Sequence, residues 1–499
     1  MAERQPGRSR LVQILLGKPL GSLEAMKSAA AAISQLSELA ASGDVRKLSE
    51  AFSVAGRELA LVGGSIRDAF LDRPMNDLDF TTDADPDTTL AILAGLTKTT
   101  WDVGRAFGTI GAKLSKHTVE ITTYRADAYD GETRKPSVQF GTSLEQDLLR
   151  RDFKVNAMAL RLPDLQLVDP SGGIDDLLHE RLSTPGSAED SFTDDPLRML
   201  RAARFCSQLG FQVADEVRVA MSALGSKLEI VSAERIRDEL SRLLCTPEPR
   251  TGLDLLVSTG IADLVIPEIP ALKLQVDEHH RHKDVYEHSL TVLDQAIELE
   301  QSRHPGSQPD LVLRLAALLH DIGKPATRRF ETGGAVSFHH HDLVGAKLAG
   351  KRLRELRFDK PTITAVSRLI ELHLRFFGYS DSAWTDSAVR RYVRDAGDLL
   401  ERLHILTRAD VTTRNRKKAE RLEFAYDDLE SRISELAEQE ELASIRPDLD
   451  GSQIMKILNI PAGPLVGEAY RFLLETRLNE GPLEPKEAEH RLKEWFSNR

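Results

Sequence analysis

Two aspartates, Asp77 and Asp79, stand two positions apart in the stretch NDLDF at residues 76–80. They alternate with Leu78 and Phe80. Because residues i and i+2 of a β-strand face the same side, both carboxylates should point the same way. Two carboxylates close together repel each other unless a cation lies between them, and Mg²⁺ is the usual one. The pattern predicts a magnesium site suited to phosphoryl or nucleotidyl transfer.

A glycine pair precedes this acidic strand. Gly63 and Gly64 follow a short apolar run, and a helix is predicted to begin near Ser65. Glycine lets backbone N–H groups approach an anion closely, and the positive end of a helix adds to the attraction. Arg67 lies on the same helix and can reach a phosphate. We therefore predict that Gly63, Gly64 and Arg67 bind the phosphates of a nucleotide beside the metal.

A third carboxylate, Glu120, lies in the predicted strand TVEITTYR at 118–125. Thr118 and Thr122 lie two positions on either side of it, so all three side chains face one side of a strand that we expect to neighbour the acidic one. Three carboxylates can hold two metal ions, one at an attacking hydroxyl and one at a triphosphate. The alternative interpretation is an exposed glutamate of a plain β-hairpin.

A helix is predicted over DDPLRMLRAARF at 194–205, with Asp195, Arg198, Arg201 and Arg204 three residues apart. Such a stripe drifts slowly around one side of the helix. Aspartate accepts hydrogen bonds and arginine donates them in pairs. The stripe can therefore complement cytosine or adenine without a template, while the spare arginines face phosphate. A surface helix held by i, i+3 salt bridges would show the same pattern.

In their order, these blocks resemble the tRNA nucleotidyltransferase (CCA-adding) and bacterial poly(A) polymerase family, of the class II type with a polymerase-β-like head. The resemblance covers roughly residues 55–275. LVGGSIRD…NDLDF resembles the catalytic block of the family. It implies that Gly64 and Arg67 contact the nucleotide and that Asp77 and Asp79 bind metal.

Two further blocks carry the resemblance. LLRRDFKVNAMAL resembles the ribose-recognition block and points to Arg151, Asp152 and Asn156. DDPLRMLRAARF resembles the nucleobase block, in which the family usually has Glu-Asp where this chain has Asp194 and Asp195. The resemblance implies tRNA, ATP and CTP as partners, and neither DNA nor a membrane.

Histidines and aspartates are spread over a later helical region, in HKDVYEHSL, AALLHDIGKP, HHHDLVGAK, ELHLRFF and LTRADV. Their order resembles the HD metal-dependent phosphohydrolase superfamily. The resemblance implies core metal ligands at His288, His320, Asp321 and Asp410, and ligands of a second metal at His341 and His373. Imidazole and carboxylate together suit Mn, Ni, Co, Fe or Mg, and the sequence does not choose among them.

The helices and strands predicted to position these residues indicate an α+β chain. A small polymerase-β-like head, with a mixed sheet and helices, is followed by a long all-α body that includes the HD domain. We predict five segments: a helical extension at 1–50, the nucleotidyltransferase head at 51–185, a helical neck for nucleobase and RNA at 186–275, the HD domain at 276–425 and a C-terminal helical segment at 426–499.

Composition limits the classes of function. The chain has 499 residues, a net charge of −12 and two cysteines. The charge argues against a general nucleic-acid binder, although a local basic groove remains compatible with it. The cysteines argue against a disulfide framework or a cysteine-based zinc site. We find no apolar run of membrane-spanning length and no convincing signal peptide, and we predict a cytoplasmic protein.

The sequence thus predicts template-independent addition of CMP and AMP to tRNA 3′ ends, with an HD phosphohydrolase appended. A poly(A) polymerase using ATP alone shares the motifs. An HD hydrolase with an RNA-binding head and a non-catalytic RNA-binding protein are further alternatives. The polar stretch between Arg125 and Gly141 is predicted to be a mobile loop. The resemblance implies that this loop reshapes the pocket for the final AMP, and the alternative is a plain surface connection. The oligomeric state is left open.

Overall fold

The computed structural model describes residues 23–75, 78–126, 139–273, 284–332, 336–376, 379, 384–412, 415–440 and 446–498. The chain forms two compact units. Unit 1 comprises Met1–Leu243 with Thr251–Leu264, and unit 2 comprises Leu244–Arg250 with Val265–Arg499. The limits of the five predicted segments remain predictions.

A seven-stranded mixed sheet forms the centre of unit 1. Its strands are β1 (Leu59–Val62), β2 (Leu78–Thr82), β3 (Thr100–Trp101), β4 (Thr109–Lys113), β5 (Thr118–Thr123), β8 (Ala159–Leu162) and β9 (Gln166–Val168). Their order is β3-β4-β5-β2-β1-β8-β9. Only the β2–β5 pair is parallel within this sheet, and its other neighbours are antiparallel. The mixed sheet predicted from the sequence is confirmed.

Alternation along the central strands gives the sheet one apolar face. In β2, Leu78 and Phe80 are buried while Asp79 between them is exposed. In β5, Val119 and Ile121 are buried while Glu120 is exposed. Burial of the apolar side chains stabilises this orientation, because a one-residue slip would exchange the two faces. The polar face is therefore set by the core on the opposite side.

Unit 1 also contains the helices and the remaining short strands that surround the sheet. The helices are α1 (Leu23–Ala41), α2 (Gly43–Val54), α3 (Gly64–Phe70), α4 (Pro86–Ala94), α5 (Leu144–Leu149), α6 (Gly173–Leu178), α7 (Ala188–Asp194), α8 (Leu197–Leu209), α9 (Asp215–Leu224), α10 (Ala233–Leu244), α11 (Pro249–Ser258) and α12 (Ala262–Val265), of which α10–α12 extend across the unit limits. The two-stranded pairs are β6 (Arg125–Ala126) with β7 (Gln139–Phe140) and β10 (Arg181–Leu182) with β11 (Gln212–Val213).

In its described residues, unit 2 is helical apart from one short hairpin of β12 (Arg329–Phe330) and β13 (Val336–Ser337). Its helices are α13 (Val285–Arg303), α14 (Leu311–Leu319), α15 (Lys324–Thr327), α16 (His341–Glu355), α17 (Lys360–Leu372), α18 (Asp386–Ala396), α19 (Leu400–Ala409), α20 (Arg416–Glu440), α21 (Gly451–Leu458), α22 (Pro464–Glu480) and α23 (Pro485–Ser497). An α+β head followed by a helical body is confirmed. Within the described ranges, none of the helices combines the length and the apolar character needed to cross a membrane.

The segment Leu244–Arg250 is tied to unit 2 by a buried arginine of α14. Arg314 donates hydrogen bonds to the backbone carbonyls of Leu244 (2.8 Å) and Thr246 (2.9 Å). Its Nε also donates to Glu300 at 3.0 Å, so the guanidinium charge is paired. At the end of the segment, Arg250 donates to Asp294 at 2.7 Å. Both ends of the segment therefore belong structurally to unit 2.

One predicted helix is divided in two. Asp195, expected within a helix over 194–205, lies in an extended conformation (φ −140°, ψ 98°) between α7 and α8. The cause is Pro196, because the residue before a proline is pushed away from the helical region. The arginine stripe therefore lies on α8, with Asp195 just before it. Two other predicted features, Asp77 and most of the loop between Arg125 and Gly141, lie outside the described residues.

Candidate functional site

The two described carboxylates of the catalytic block lie side by side on the polar face of the sheet. Asp79 and Glu120 are register partners in the parallel strands β2 and β5. Neighbouring strands are about 4.8 Å apart, so the two side chains can reach one cation. Carboxylate oxygens are the hard ligands that Mg²⁺ prefers, and the pair fits such an ion. The position of Asp77 remains a prediction.

The glycine pair brings the start of α3 close to two arginines. Gly63 has a left-handed backbone (φ 70°), which glycine adopts without strain. A Cβ atom at Gly63 would lie 3.4 Å from Nη1 of Arg151, and one at Gly64 would lie 3.5 Å from Nη2 of Arg67. Two guanidinium groups therefore adjoin this backbone, as a phosphate-binding region requires.

Arg67 connects the catalytic block with the ribose block. Its buried guanidinium donates to Oδ1 of Asn156 at 2.7 Å and to both carboxylate oxygens of Asp68 at 2.9 and 3.0 Å. Arginine has five N–H donors, and these bonds use three of them. Arg67 thus orients Asn156 in this structure, and its contact with a phosphate remains a prediction.

Asp152 extends this connection to α8. Its carboxylate accepts hydrogen bonds from Nδ2 of Asn156 (3.1 Å) and from Nε of Arg201 (2.8 Å). Burial alone would raise the pKa of Asp152, but the charge and hydrogen bonds of Arg201 outweigh it and hold the pKa below its usual range. Reciprocally, the charge of Asp152 raises the pKa of Arg201. The predicted ribose and nucleobase blocks are therefore joined by an ionised pair.

The last two arginines of the stripe bind acidic groups of the protein. Arg204 is buried, donates to Glu239 at 2.7 Å and places its guanidinium 4.1 Å from the ring centre of Phe205. Arg201 also lies 3.6 Å from Glu239, in addition to its bonds with Asp152. In this structure both side chains anchor α8 rather than face a phosphate. Nucleotide binding by Arg201 and Arg204 remains a prediction.

Asp195 and Arg198 lie at the more accessible end of the stripe. Arg198 donates to the backbone carbonyl of Arg150 at 2.7 Å, which fixes it against the ribose block. Asp195 accepts a hydrogen bond from Arg235 of α10 at 3.0 Å, and 27% of its side chain is exposed. Sequence reasoning missed Arg235 and Glu239. The available signal was their i, i+4 spacing on the highly charged helix ERIRDEL.

We expect Asp152→Asn to lower the free energy of unfolding by about 2–3 kcal/mol in urea denaturation. Breaking a fully buried ion pair costs about 3–5 kcal/mol, and here 30% of the Arg201 side chain is exposed. Because the folded pKa of Asp152 lies below its unfolded value of about 4, its contribution is complete above that pH and is lost as the pH falls. The difference between wild type and variant should therefore shrink below about pH 4.

Asp164→Asn is the matched control, since Asp164 is an exposed acid on the turn between β8 and β9. It should change the unfolding free energy by less than about 0.5 kcal/mol. An equal loss in both variants would show that the Asp152–Arg201 pair does not stabilise the head.

Six of the histidine and aspartate side chains of unit 2 form two adjacent trios. The first trio is His288, His320 and Asp410, and the second is Asp321, His341 and His373, with the ligand atoms of each trio within 4.8 Å of one another. Nε2 of His288 lies 3.0 Å from Oδ1 of Asp410. The two carboxylate oxygens of Asp321 lie 3.3 Å from Nε2 of His320 and of His341, so Asp321 contacts both trios.

The backbone orients the histidines of this cluster. Nδ1 of His320, His341 and His373 lies 2.8, 2.8 and 2.6 Å from the carbonyl oxygens of Ala317, Phe338 and Ile370, respectively. Donation to a carbonyl fixes the ring and leaves Nε2 as the coordinating atom, as is usual for metal-binding histidines. The start of α16 also approaches Gly323 closely, where a Cβ atom would lie 2.1 Å from the carbonyl oxygen of His341.

The electrostatics of the cluster favour a cation. Burial lowers the pKa of His373 to about 4, and its buried Nε2 has no hydrogen-bond partner among the described residues. Burial would also lower the pKa of His320, but Asp321 and Asp410 raise it to about 10. The carboxylates thus attract positive charge to the centre of the cluster, which a divalent metal ion would supply. The donor set fits two such ions.

Together, the fold and the two sites define a nucleotidyltransferase with a polymerase-like head and an appended HD unit. Three family models match the chain: the poly(A) polymerase head domain at 59–183, a probable RNA- and SrmB-binding site of polymerase A at 210–272, and the HD domain at 285–415. The chain belongs to the tRNA nucleotidyltransferase and poly(A) polymerase family. The resemblance inferred from the sequence is therefore confirmed.

Individual relatives differ in how much of the chain they match. An A-adding tRNA nucleotidyltransferase of Deinococcus radiodurans is 34% identical over 87% of this chain and 95% of its own length. The CCA-adding enzyme of Bacillus subtilis is 41% identical, but the match covers 42% of this chain and 51% of that enzyme. The CCA-adding enzyme of Bacillus stearothermophilus in complex with CTP has the same fold, with a TM-score of 0.63, 24% identity and coverage of 91% and 96%.

Proposed function

We propose that this chain adds CMP and AMP to the 3′ end of tRNA, using CTP and ATP and releasing pyrophosphate without a template. The observation that carries the proposal is the register pair of Asp79 and Glu120. A binding module has no need for two adjacent acids on an exposed sheet face, whereas nucleotidyl transfer does. We propose that the reaction takes place in the cytoplasm.

In this reaction the 3′-hydroxyl oxygen of the terminal ribose forms a bond to the α-phosphorus of the incoming nucleotide. The bond between the α-phosphorus and the oxygen that bridges it to the β-phosphorus breaks. Pyrophosphate leaves with the electron pair of that bond, and the hydroxyl proton passes to solvent. Mg²⁺ held by Asp77, Asp79 and Glu120 would neutralise the phosphates and lower the cost of this charge separation. Gly63, Gly64, Arg67 and Arg151 hold the nucleotide in this proposal.

Base choice follows from the donors and acceptors near the start of α8. The Asp195 carboxylate accepts from the amino group that cytosine and adenine share, and Arg198 donates to a ring nitrogen or carbonyl. Uracil and guanine present a carbonyl at the equivalent position, where a carboxylate finds no donor. Arg150 and Ser191 hold Arg198 in place through their backbone carbonyl and hydroxyl oxygens at 2.7 and 2.8 Å.

A second candidate is addition of the terminal AMP alone, because the Deinococcus radiodurans relative that matches nearly full length is named for that activity. Three tRNA substrates distinguish the candidates: one without its CCA end, one ending in C and one ending in CC. With labelled CTP and ATP, we expect all three to be completed to CCA. Extension of the CC substrate alone would show A-addition, and a long A tail would show a poly(A) polymerase.

We further propose that unit 2 is a metal-dependent phosphohydrolase. The observation that favours it is the pair of buried His/Asp trios, each able to bind a divalent ion. Two adjacent ions could hold a phosphate and activate water against it, which suits phosphomonoesters or cyclic phosphodiesters.

A further inference from the structure

An aromatic side chain lies in the same cross-strand row as the catalytic carboxylates. Trp101 of β3 pairs with Gly111 of β4, Gly111 pairs with Glu120 of β5, and Glu120 pairs with Asp79 of β2. Register partners in neighbouring strands present their side chains on the same face of a sheet. Trp101 is therefore on the polar face, in line with the two acids.

The glycine in this row leaves room for the indole ring. A Cβ atom at Gly111 would lie 2.0 Å from Cε2, 2.1 Å from Nε1 and 2.5 Å from Cζ2 of Trp101. The ring thus covers the backbone of Gly111 and extends from β3 towards Glu120. Trp101 is only partly buried in this position. An aromatic surface accordingly lies next to the carboxylates.

The order of the strands shows on which side of the acidic strands this aromatic surface lies. Gly63, Gly64 and Arg67 follow β1 and Arg151 precedes β8, so these four residues proposed to hold the nucleotide lie on one side of the acidic strands β2 and β5. Trp101 lies on the other side, beyond β4. In an in-line displacement the attacking oxygen and the departing pyrophosphate are on opposite sides of the phosphorus. The RNA end that supplies the hydroxyl should therefore approach from the Trp101 side.

We propose that Trp101 is a stacking platform for the nucleobase at the 3′ end of the RNA being extended. Stacking on an aromatic ring suits an RNA whose last base changes as nucleotides are added, because every base has a π face and stacking tolerates any sequence. Gly111 serves this platform by letting the ring lie against the sheet. This inference rests on the proposed nucleotidyltransferase function and adds the position of the RNA end.

Fluorescence tests the contact without turnover. The chain has three tryptophans, so Trp384→Phe with Trp495→Phe leaves Trp101 as the sole emitter. Adding tRNA that lacks its CCA end should quench the emission, while CTP alone should leave it nearly unchanged. Quenching by CTP alone would assign the ring to the incoming base, and no quenching at a saturating tRNA concentration would overturn the proposal.

Kinetics provide the second measurement. Trp101→Ala should raise the KM for tRNA about tenfold or more while changing the KM for CTP less than twofold, and Trp101→Phe should restore most of the loss. An unchanged KM for tRNA in Trp101→Ala would contradict the platform. If the wild-type chain adds no nucleotide, the proposed function fails, and the fluorescence titration still tests whether an RNA end reaches Trp101.

Discussion

We expect replacement of Asp79 by asparagine to lower kcat/KM for nucleotide addition by about 10³-fold or more. Its carboxylate faces the polar side of the sheet, so asparagine keeps the shape of the side chain but loses the charge that we propose holds a cation. Metal binding contributes several kcal/mol to a transition state of this kind, and each 1.36 kcal/mol corresponds to tenfold in rate. Incorporation of labelled CMP into tRNA lacking its CCA end is the measurement.

Asp87→Asn is the control, because Asp87 is an exposed acid in the first turn of α4. This variant should add nucleotides at nearly the wild-type rate. Glu120→Gln should fall between the two, since Glu120 neighbours Asp79 and contributes the third carboxylate. Activity of Asp79→Asn within tenfold of wild type would show that the acid pair takes no part in nucleotide addition. It would then favour the alternative of an HD hydrolase with an RNA-binding head.

We expect His341→Ala to remove the metal-dependent hydrolysis proposed for unit 2 and to leave nucleotide addition within about twofold of wild type. His341 is one of three ligands in the second trio, and its Nε2 lies 3.3 Å from Asp321. Loss of an outer-shell partner alone costs about 10–100-fold in metal affinity, so loss of a ligand should cost more than about 100-fold. Hydrolysis of a phosphomonoester and of a 2′,3′-cyclic nucleotide with added Mn²⁺ or Ni²⁺ is the assay.

The matched control is His339→Ala, two residues away on the same segment, where 69% of the side chain is exposed. It should retain both hydrolysis and metal binding. Thermal unfolding with added metal gives an independent test. A bound ion should raise the Tm of the wild type and of His339→Ala, and it should raise the Tm of His341→Ala much less. Equal shifts in all three proteins would show that the ion binds elsewhere.

The alternation of acids and apolar residues made the acidic face of the sheet predictable. A period of two put Asp79 on the side opposite Leu78 and Phe80, and the same period put Glu120 on one face of its strand. The structure adds the parallel register that makes Asp79 and Glu120 partners. Register between strands that are distant in sequence depends on the packing of the whole sheet, which no local pattern encodes.

The buried connections of the head were not predictable for a related reason. Arg201 and Asp152 are 49 positions apart, and Arg204 and Glu239 are 35 apart. The i, i+3 spacing of the arginines indicated only that they lie near one side of a helix. Which of them would meet an acid depended on where α10 and the ribose block pack, and Pro196 further changed the position of Asp195.

The resemblance carried by the histidines and aspartates predicted the members of the His/Asp cluster and put Asp321 among the core ligands, whereas the structure groups Asp321 with His341 and His373. The sequence placed Asp321 with His320 as neighbours at the end of a helix. In the structure the Asp321 carboxylate lies within one trio and still contacts His320 at 3.3 Å. Adjacent residues at a helix end can point to different sides of a cavity, and only the packing of four further helices determines which.

The attachment of Leu244–Arg250 to unit 2 affects how such enzymes can exchange parts by recombination. A single crossover between two parents near residue 265 would join unit 2 of one parent to the Leu244–Arg250 segment of the other. Arg314 would tolerate this, because its two bonds in the segment go to main-chain carbonyls that any sequence provides. Arg250 would not, because its partners are the side chains of Glu287, Thr291 and Asp294. Functional hybrids should therefore inherit residue 250 and its three partners from the same parent.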